Sequence, residues 1–302
     1  MKHFLSINDC TTQELVELLE LSAELKQDDK KGTIERVLTG KALAIVFEKA
    51  SLRTHVSFEI AMTDLGGVVI YLKPDDIGRL GEREPIKDIA RVFGRYVHGI
   101  MARTFAHATL LELAKYAGVP VINGLTDWSH PCQAMADMLT IKEHLGKLTG
   151  ITIAFIGDGN NVARSLALAS AKLGLKMTIA SPKGYELDQE TIAMANGISK
   201  GALALFGKPA NAVKGVDVVY TDTWVSMGQE AESKKRLKDF EGFQVNSDLL
   251  TLCPNAKIMH CLPAHRGQEI TDEVMESANS IIFDQAENRL HFQRALLKKL
   301  MA

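Results

Sequence analysis

The feature that most limits the fold is a repeated alternation of short apolar runs with segments that carry apolar residues at helical spacing. The run ALAIVF (42–47) precedes Phe58, Ala61, Met62 and Leu65, which share one helical face and stop at Gly66-Gly67. VVIYL (68–72), GIMARTF (99–105) and PVINGL (120–125) repeat the pattern, with helices expected from Pro85 and from about His107 to Tyr116. Parallel strands need crossover helices, and those helices cover both sheet faces, so the strands read as nearly continuous apolar runs. A helix precedes the series. Thr11 and Glu14 have capping-box spacing, and Leu15, Leu18, Leu19 and Leu25 line one side.

Pro131 suits a first helical turn and Gly146 ends that helix. Further strands are expected at ITIAFIG (151–157), KMTIAS (176–181), DVVYTD (217–222), KIMHCL (257–262) and SIIFDQ (280–285), before a closing amphipathic helix, AENRLHFQRALLKKLM. A chain of 302 residues accommodates two such series. The expected fold class is therefore α/β: two doubly wound parallel-sheet domains with the active site in the crevice between them. The expected divisions are residues 1–147, residues 148–285 and a C-terminal helix, 286–302, that packs back on the first domain.

Charge narrows the partners. Lys and Arg total 35 against 37 Asp and Glu, so no bulk positive field recruits nucleic acid or an anionic membrane surface. The four cysteines, Cys10, Cys132, Cys253 and Cys261, include no CxxC pair, which argues against a thiolate zinc site and a disulfide framework. No apolar run approaches membrane-spanning length. Together these features predict a cytoplasmic protein.

In open α/β sheets, ligands bind beyond the carboxyl ends of strands, where helix N-termini present free N–H groups. FEKASLRTH (47–55) lies at such a junction, and Ser51, Arg53 and Thr54 there suit a phosphate dianion. Spacing alone is equally compatible with a capped helix bearing a solvated arginine. Arg103 ends the third strand. In DWSHPCQ (127–133), His130 and Gln133 flank a helix start and suit a polarised carbonyl and its amide, although a plain helix cap explains the run as readily.

IAFIGDGNNVARS (153–165) invites a dinucleotide reading, but Val162 stands where the third glycine of GxGxxG belongs, and the next strand ends TIASP with no acidic residue for a ribose. Asn160 and Asn161 offer amide contacts to a small polar ligand instead. In TDTWVSMGQE (221–230), Asp222 suits an ammonium group, Ser226 a hydrogen bond, and Met227-Gly228 a flexible loop. HCLPAHRG (260–267) places Cys261 near His265 without an oxyanion motif, which disfavours thiol-protease chemistry.

FEKASLRTH, ARTF, SHPCQ, GDGNN, DTWVSMG, HCLPAHRG and AENR, in that order, resemble the ornithine carbamoyltransferases over nearly the whole chain. The resemblance implies transfer of a carbamoyl group from carbamoyl phosphate to the δ-amine of L-ornithine by direct attack, with no metal or organic cofactor. It implies a carbamoyl-phosphate domain followed by an ornithine domain, and a homotrimer or a multiple of trimers. Carried onto this chain, it assigns Ser51, Leu52, Arg53, Thr54, Arg79, Arg103, His130, Gln133 and Arg289 to carbamoyl phosphate. Asn161, Asp222, Ser226, Met227, Cys261 and Leu262 fall to ornithine, and Arg103, His130 and Cys261 to catalysis. The alternative is a carbamoyltransferase for another amine, such as putrescine or an N-acylated ornithine.

Three positions depart from the family pattern. Leu52 replaces a small hydroxyl residue, so at most its backbone N–H serves the phosphate. His55 stands where Arg is usual. Arg79 occupies the place of a Gln in a loop that, in the family, reaches a neighbouring subunit, and its charge is expected to offset part of what His55 removes.

Overall fold

A computed structural model describes residues 1–226 and 228–302, except for the side chains of residues 76, 77 and 230. The chain divides into two compact units: Met1–Leu139 with Asn288–Ala302, and Thr140–Glu287.

In the first unit, helix α1 (Thr12–Lys31) is entered through the expected capping box. Thr11 Oγ1 accepts from Glu14 N at 3.2 Å, and Thr11 N donates to the Glu14 carboxylate at 2.8 Å. Four parallel strands follow: β1 (Ala42–Phe47), β2 (Val68–Leu72), β3 (Gly99–Arg103) and β4 (Val121–Leu125), in the order β2-β1-β3-β4. The connecting helices are α2 (Leu52–Asp64), α3 (Ile86–Tyr96) and α4 (His107–Tyr116). Every residue of β1 after Ala42 is buried, as is all of β3, because these two central strands are covered on both faces. Phe4 extends the sheet by a parallel bridge to Ile122 beside β4.

Helix α5 (Pro131–Leu145) runs through the first division of the chain. The second unit holds β5 (Thr152–Ile156), α6 (Asn161–Leu173), β6 (Lys176–Ala180), α7 (Gln189–Ile198), β7 (Leu203–Phe206), β8 (Val218–Thr221), α8 (Ser233–Asp239) and β9 (Lys257–His260). Its sheet is parallel, with order β7-β6-β5-β8-β9. Ala154, Ile156, Val219 and Ile258 supply the sheet side of a core closed by Trp224, Phe240 and Phe243. Helix α9 (Ile282–Met301) ends the chain and contains the second division.

Two strand expectations need correction. SIIFDQ (280–285) is not a strand: Ser280 makes one bridge to Ile258, and α9 begins at Ile282. The apolar run is too short for its period to be read, whereas the buried positions Ile281, Ile282, Gln285, Asn288, Arg289 and Phe292 have helical spacing. The fifth strand is instead β7, an edge strand of four residues whose Ala204 and Leu205 are exposed; its run ALALF (202–206) is apolar but too short to show a period. KIMHCL also stops early, at His260, because Leu262 takes a φ of 57° and turns the chain away.

Strand order explains where ligands go. β1 has β2 on one side and β3 on the other, and β5 lies likewise between β6 and β8. The crossovers after β1 and β5 lead to one side and those after β3 and β8 to the other, so a crevice opens between the carboxyl ends of each pair. FEKASLRTH and ARTF border that point in the first unit. GDGNN and DTWVS border it in the second.

Gly94 sets how closely α3 approaches the end of α4: an added Cβ would lie 1.7 Å from the Ala117 carbonyl oxygen. Gly94→Ala gains about 1 kcal/mol of helix propensity. The collision with backbone outweighs this, since overpacking typically costs about 1–3 kcal/mol and no flexible side chain can yield here. A lower urea midpoint with an unchanged m-value is the expected result.

Candidate active site

In the first unit, Thr54 is the hub. Ser51 is the N-cap residue of α2, but no side chain caps this helix end, so its first-turn N–H groups remain for an outside acceptor. The Ser51 hydroxyl donates to Thr54 Oγ1 at 3.1 Å instead. Arg289 Nη2 donates to the same oxygen at 3.0 Å, and Arg103 Nη1 lies 3.4 Å from it. Arg289 Nη1 donates to Gln133 Oε1 at 3.1 Å, and the Gln133 amide donates to Asp137 at 2.8 Å, which fixes its orientation. Residues 235 positions apart in sequence thus share one oxygen.

The electrostatics favour an anion. Arg103 and Arg289 are 6% and 5% exposed, and two buried guanidinium groups converging on one hydroxyl repel each other unless negative charge joins them. Arg53 is half-buried at the same helix start and has no side-chain hydrogen bond or ion pair among the described residues. Burial, followed by the charges of Arg289 and Arg103, pushes the His130 imidazole well below the ordinary histidine pKa. His130 is therefore neutral at physiological pH. Burial likewise raises the neighbouring Cys132 thiol to about 12, so it stays protonated and is no nucleophile.

The three departures occupy distinct surroundings. Leu52 is 76% exposed at the first position of α2. The His55 ring stacks on Tyr71 at 3.8 Å, and its Nε2 lies 2.9 Å from Glu59. Arg79 is exposed and sits 4.8 Å over the Phe105 ring, with Lys49 at 4.3 Å from the same ring. Glu48 ties this loop to the end of β3, accepting from Leu80 N at 2.9 Å and Phe105 N at 2.7 Å.

In the second unit, Asp222 is buried and gathers three donors. Asn160 Nδ2, Thr223 N and Cys261 Sγ each lie 2.8 Å from its carboxylate. Asn160 is also the N-cap of α6, its Oδ1 accepting from Val162 N at 2.9 Å and Ala163 N at 3.1 Å. One side chain thus caps the helix and orients the carboxylate across the switch point. Asn161 begins α6. Ser226 N donates to Gln229 Oε1 at 3.1 Å. Met227 lies outside the described residues.

Cys261 and Leu262 are held by a relay. Leu262 N donates to His260 Nδ1 at 2.8 Å, so the ring is protonated at Nε2, which faces the buried Glu269 at 3.1 Å. Ligand atoms of Asp222, His260 and Cys261 all lie within 4.8 Å of one another. Both His260 nitrogens are already engaged, so a carboxylate and a thiol remain, short of a closed metal ligand set.

Sequence reading missed the orienting roles. Asn160, expected as a ligand contact, instead caps α6 and orients Asp222, and its place directly before a helix carries that N-cap signal. Asp137 lies one helical turn beyond Gln133. Glu269 carries no local signal, since its partners are set by the turn after β9.

The protein is an α/β enzyme of two parallel-sheet units, with buried guanidinium groups gathered at the switch point of one and a buried carboxylate at that of the other. Residues 2–143 match the carbamoyl-P binding domain of the aspartate/ornithine carbamoyltransferases, and residues 149–300 match their Asp/Orn binding domain. An ornithine carbamoyltransferase of Archaeoglobus fulgidus is 52% identical over 302 residues, 100% of this chain and 98% of that protein. The solved ornithine carbamoyltransferase of Pyrococcus furiosus superimposes with a TM-score of 0.96 at 49% identity, covering 99% of this chain and 97% of that one. That of Thermus thermophilus gives 0.90 at 44% identity, covering 100% and 99%. The chain belongs to the ornithine carbamoyltransferase family.

The buried neutral His130 makes stability depend on pH. Its pKa is lower in the folded than in the unfolded state, so below about pH 6.5 the unfolded chain binds a proton that the folded one refuses. Stability therefore falls with acidification by about 1.4 kcal/mol per pH unit from this group. Urea titrations between pH 5 and 7 should show a shallower acid loss in His130→Asn than in the unaltered protein.

Proposed function

We propose that this chain transfers the carbamoyl group of carbamoyl phosphate to the δ-amine of L-ornithine, giving L-citrulline and phosphate, with the residues of each unit in the roles that follow. The observation that carries the assignment is the convergence of Arg103 and Arg289 on Thr54 beside the uncapped start of α2. In this reading the first unit holds carbamoyl phosphate: Ser51, Arg53, Thr54 and the N–H groups of α2, including that of Leu52, take the phosphate. Arg103, His130, Gln133 and Arg289 surround the carbamoyl group, with Arg289 supplied by the C-terminal helix. The second unit holds ornithine, with Asp222 receiving the α-ammonium and Asn161, Ser226 and Met227 the rest of that end. Cys261 and Leu262 face the reacting amine.

The attacking amine must be neutral. With a reference pKa of about 10.4, roughly one amine in a few hundred is free at pH 8, and desolvation raises that share. Arg103, His130 and Thr54 stabilise charge developing on the carbonyl oxygen, and one well-aimed donor contributes about 3–4 kcal/mol to such a transition state. Holding the two substrates in line supplies the remaining advantage. Phosphate leaves without covalent help, so Cys261 acts as a contact rather than a nucleophile.

Phosphate release should be assayed with ornithine, putrescine, N-acetylornithine and aspartate in parallel, with product identification. Selective turnover of ornithine to citrulline, faster at pH 9 than at pH 7, is the expected result. Preference for another amine would overturn the role given to Asp222.

The assembly proposed is a homotrimer in a cytoplasmic setting. No helix among the described residues is long and apolar enough to cross a membrane. Leu52, Val56 and Ile60 form an exposed apolar stripe one helical turn apart along α2, and Val68 and Ile70 are exposed on edge strand β2, as a self-contact would need. In this trimer Arg79 reaches the neighbour's phosphate. Val56→Glu combined with Ile60→Glu should give monomers in sedimentation runs and a higher KM for carbamoyl phosphate. A trimer that survives both changes would refute the placement of the interface.

A further inference from the structure

The loops that carry Asn161 and Asp222 are joined by a side chain that the roles above leave out. Arg236, on α8, has a side chain only 7% exposed, and Nη1 makes two bonds: to Asp158 Oδ2 at 2.8 Å and to the Trp224 carbonyl at 2.9 Å. Asp158 lies two residues before Asn160. Trp224 lies midway between Asp222 and Ser226. One nitrogen therefore links the loop after β5 to the loop after β8, on the two sides of the switch point.

The guanidinium is itself held on its other sides. Glu232 Oε2 is 3.3 Å from Nε, and the Tyr185 ring lies 4.8 Å from the guanidinium carbon. Tyr185 in turn accepts from Gly159 N at 2.8 Å and donates its hydroxyl to Asp239, also at 2.8 Å. Gly159 is pressed against the same segment, since a Cβ there would meet Leu187 N at 2.3 Å. Burial pushes the Asp158 carboxyl up while Arg236 opposes that shift, so the carboxylate depends on its partner to stay charged.

We propose that Arg236 is a positioning residue for the amino-acid substrate: by bonding Asp158 and the Trp224 carbonyl together, it fixes the loops that present Asn161, Asp222 and Ser226. The proposal rests on the ornithine reading above and deepens it. Arg236 touches no substrate and acts through the loops. Lysine would keep a single ammonium and lose the second nitrogen, Nε, that Glu232 holds in place, so it should restore only part of the effect.

The full-length enzyme should be compared with Arg236→Met, Arg236→Lys, Asp158→Asn and the double variant Arg236→Met/Asp158→Asn, measuring KM for each substrate, kcat and thermal midpoint. Arg236→Met should raise KM for ornithine at least tenfold while KM for carbamoyl phosphate stays within twofold, with Arg236→Lys between it and the unaltered enzyme. The double variant removes the stranded buried carboxylate, so it should regain thermal midpoint without regaining ornithine affinity. That split separates positioning from stability. An ornithine KM that is unchanged, or that recovers along with the midpoint, would overturn the proposal, and so would a parallel rise in both KM values. Should Arg236→Met fail to fold, Arg236→Lys and Asp158→Asn carry the same test, each expected to raise ornithine KM selectively. Failure of the underlying reading would look different: the unaltered enzyme would not turn over ornithine, and both would fall.

Discussion

Where the strand order of a parallel sheet reverses, the crossover after one strand and the crossover after its neighbour must run in opposite directions, and the rest of this structure depends on that constraint. The reversals lie between β1 and β3 and between β5 and β8, each pair hydrogen-bonded in parallel register. At their carboxyl ends the loops diverge, leaving helix N-termini and loop side chains around a gap that no crossover fills. Polar groups there are buried, yet they face one another and the gap instead of an apolar layer. Chemistry therefore collects at two points of the chain's topology, although its residues are scattered through the sequence.

Each point is closed by hydrogen bonds running from one diverging loop to the other. Thr54 meets Arg103 in the first unit, and Asn160 meets Asp222 in the second. The two differ in charge. The first concentrates guanidinium groups around a hydroxyl and keeps an imidazole neutral, and in the proposed function it would receive a dianion with little reorganisation. The second buries a carboxylate among neutral donors, which suits an ammonium ion. Much of the second site is braced at one remove. Glu269 sets His260, His260 sets Leu262, and Arg236 bonds the backbone two residues after Asp222 to the Asp158 carboxylate of the facing loop. Orienting partners of this kind decide whether a contact residue is held within the narrow range that catalysis requires.

Most of the fold was legible because its signals are local. The capping box at Thr11, the start of α5 at Pro131 and the bounds of α4 stand where spacing placed them. The misreadings share one cause. SIIFDQ is apolar whether it becomes strand or helix, and β7 is an edge strand with two exposed residues, so neither carries a period that identifies it. The side-chain groupings were legible only in part. Ser51, Thr54, Arg103, Gln133 and Arg289 belong to one cluster in the structure, but His–Pro–x–Gln or a lone arginine near a helix start carries little information by itself.

The sequence by itself determined the alternating α/β architecture, the two series of strands and the order of motifs that marks the family, since periodicity, caps and breakers act over a few residues. Only the tertiary structure decided that Arg289 shares an oxygen with Thr54, that Asn160 both caps a helix and orients Asp222, and that Arg236 bonds two loops at once. Those contacts join residues tens to hundreds of positions apart. Their distances are set by strand order and crossover direction, quantities that no local pattern of residue types encodes.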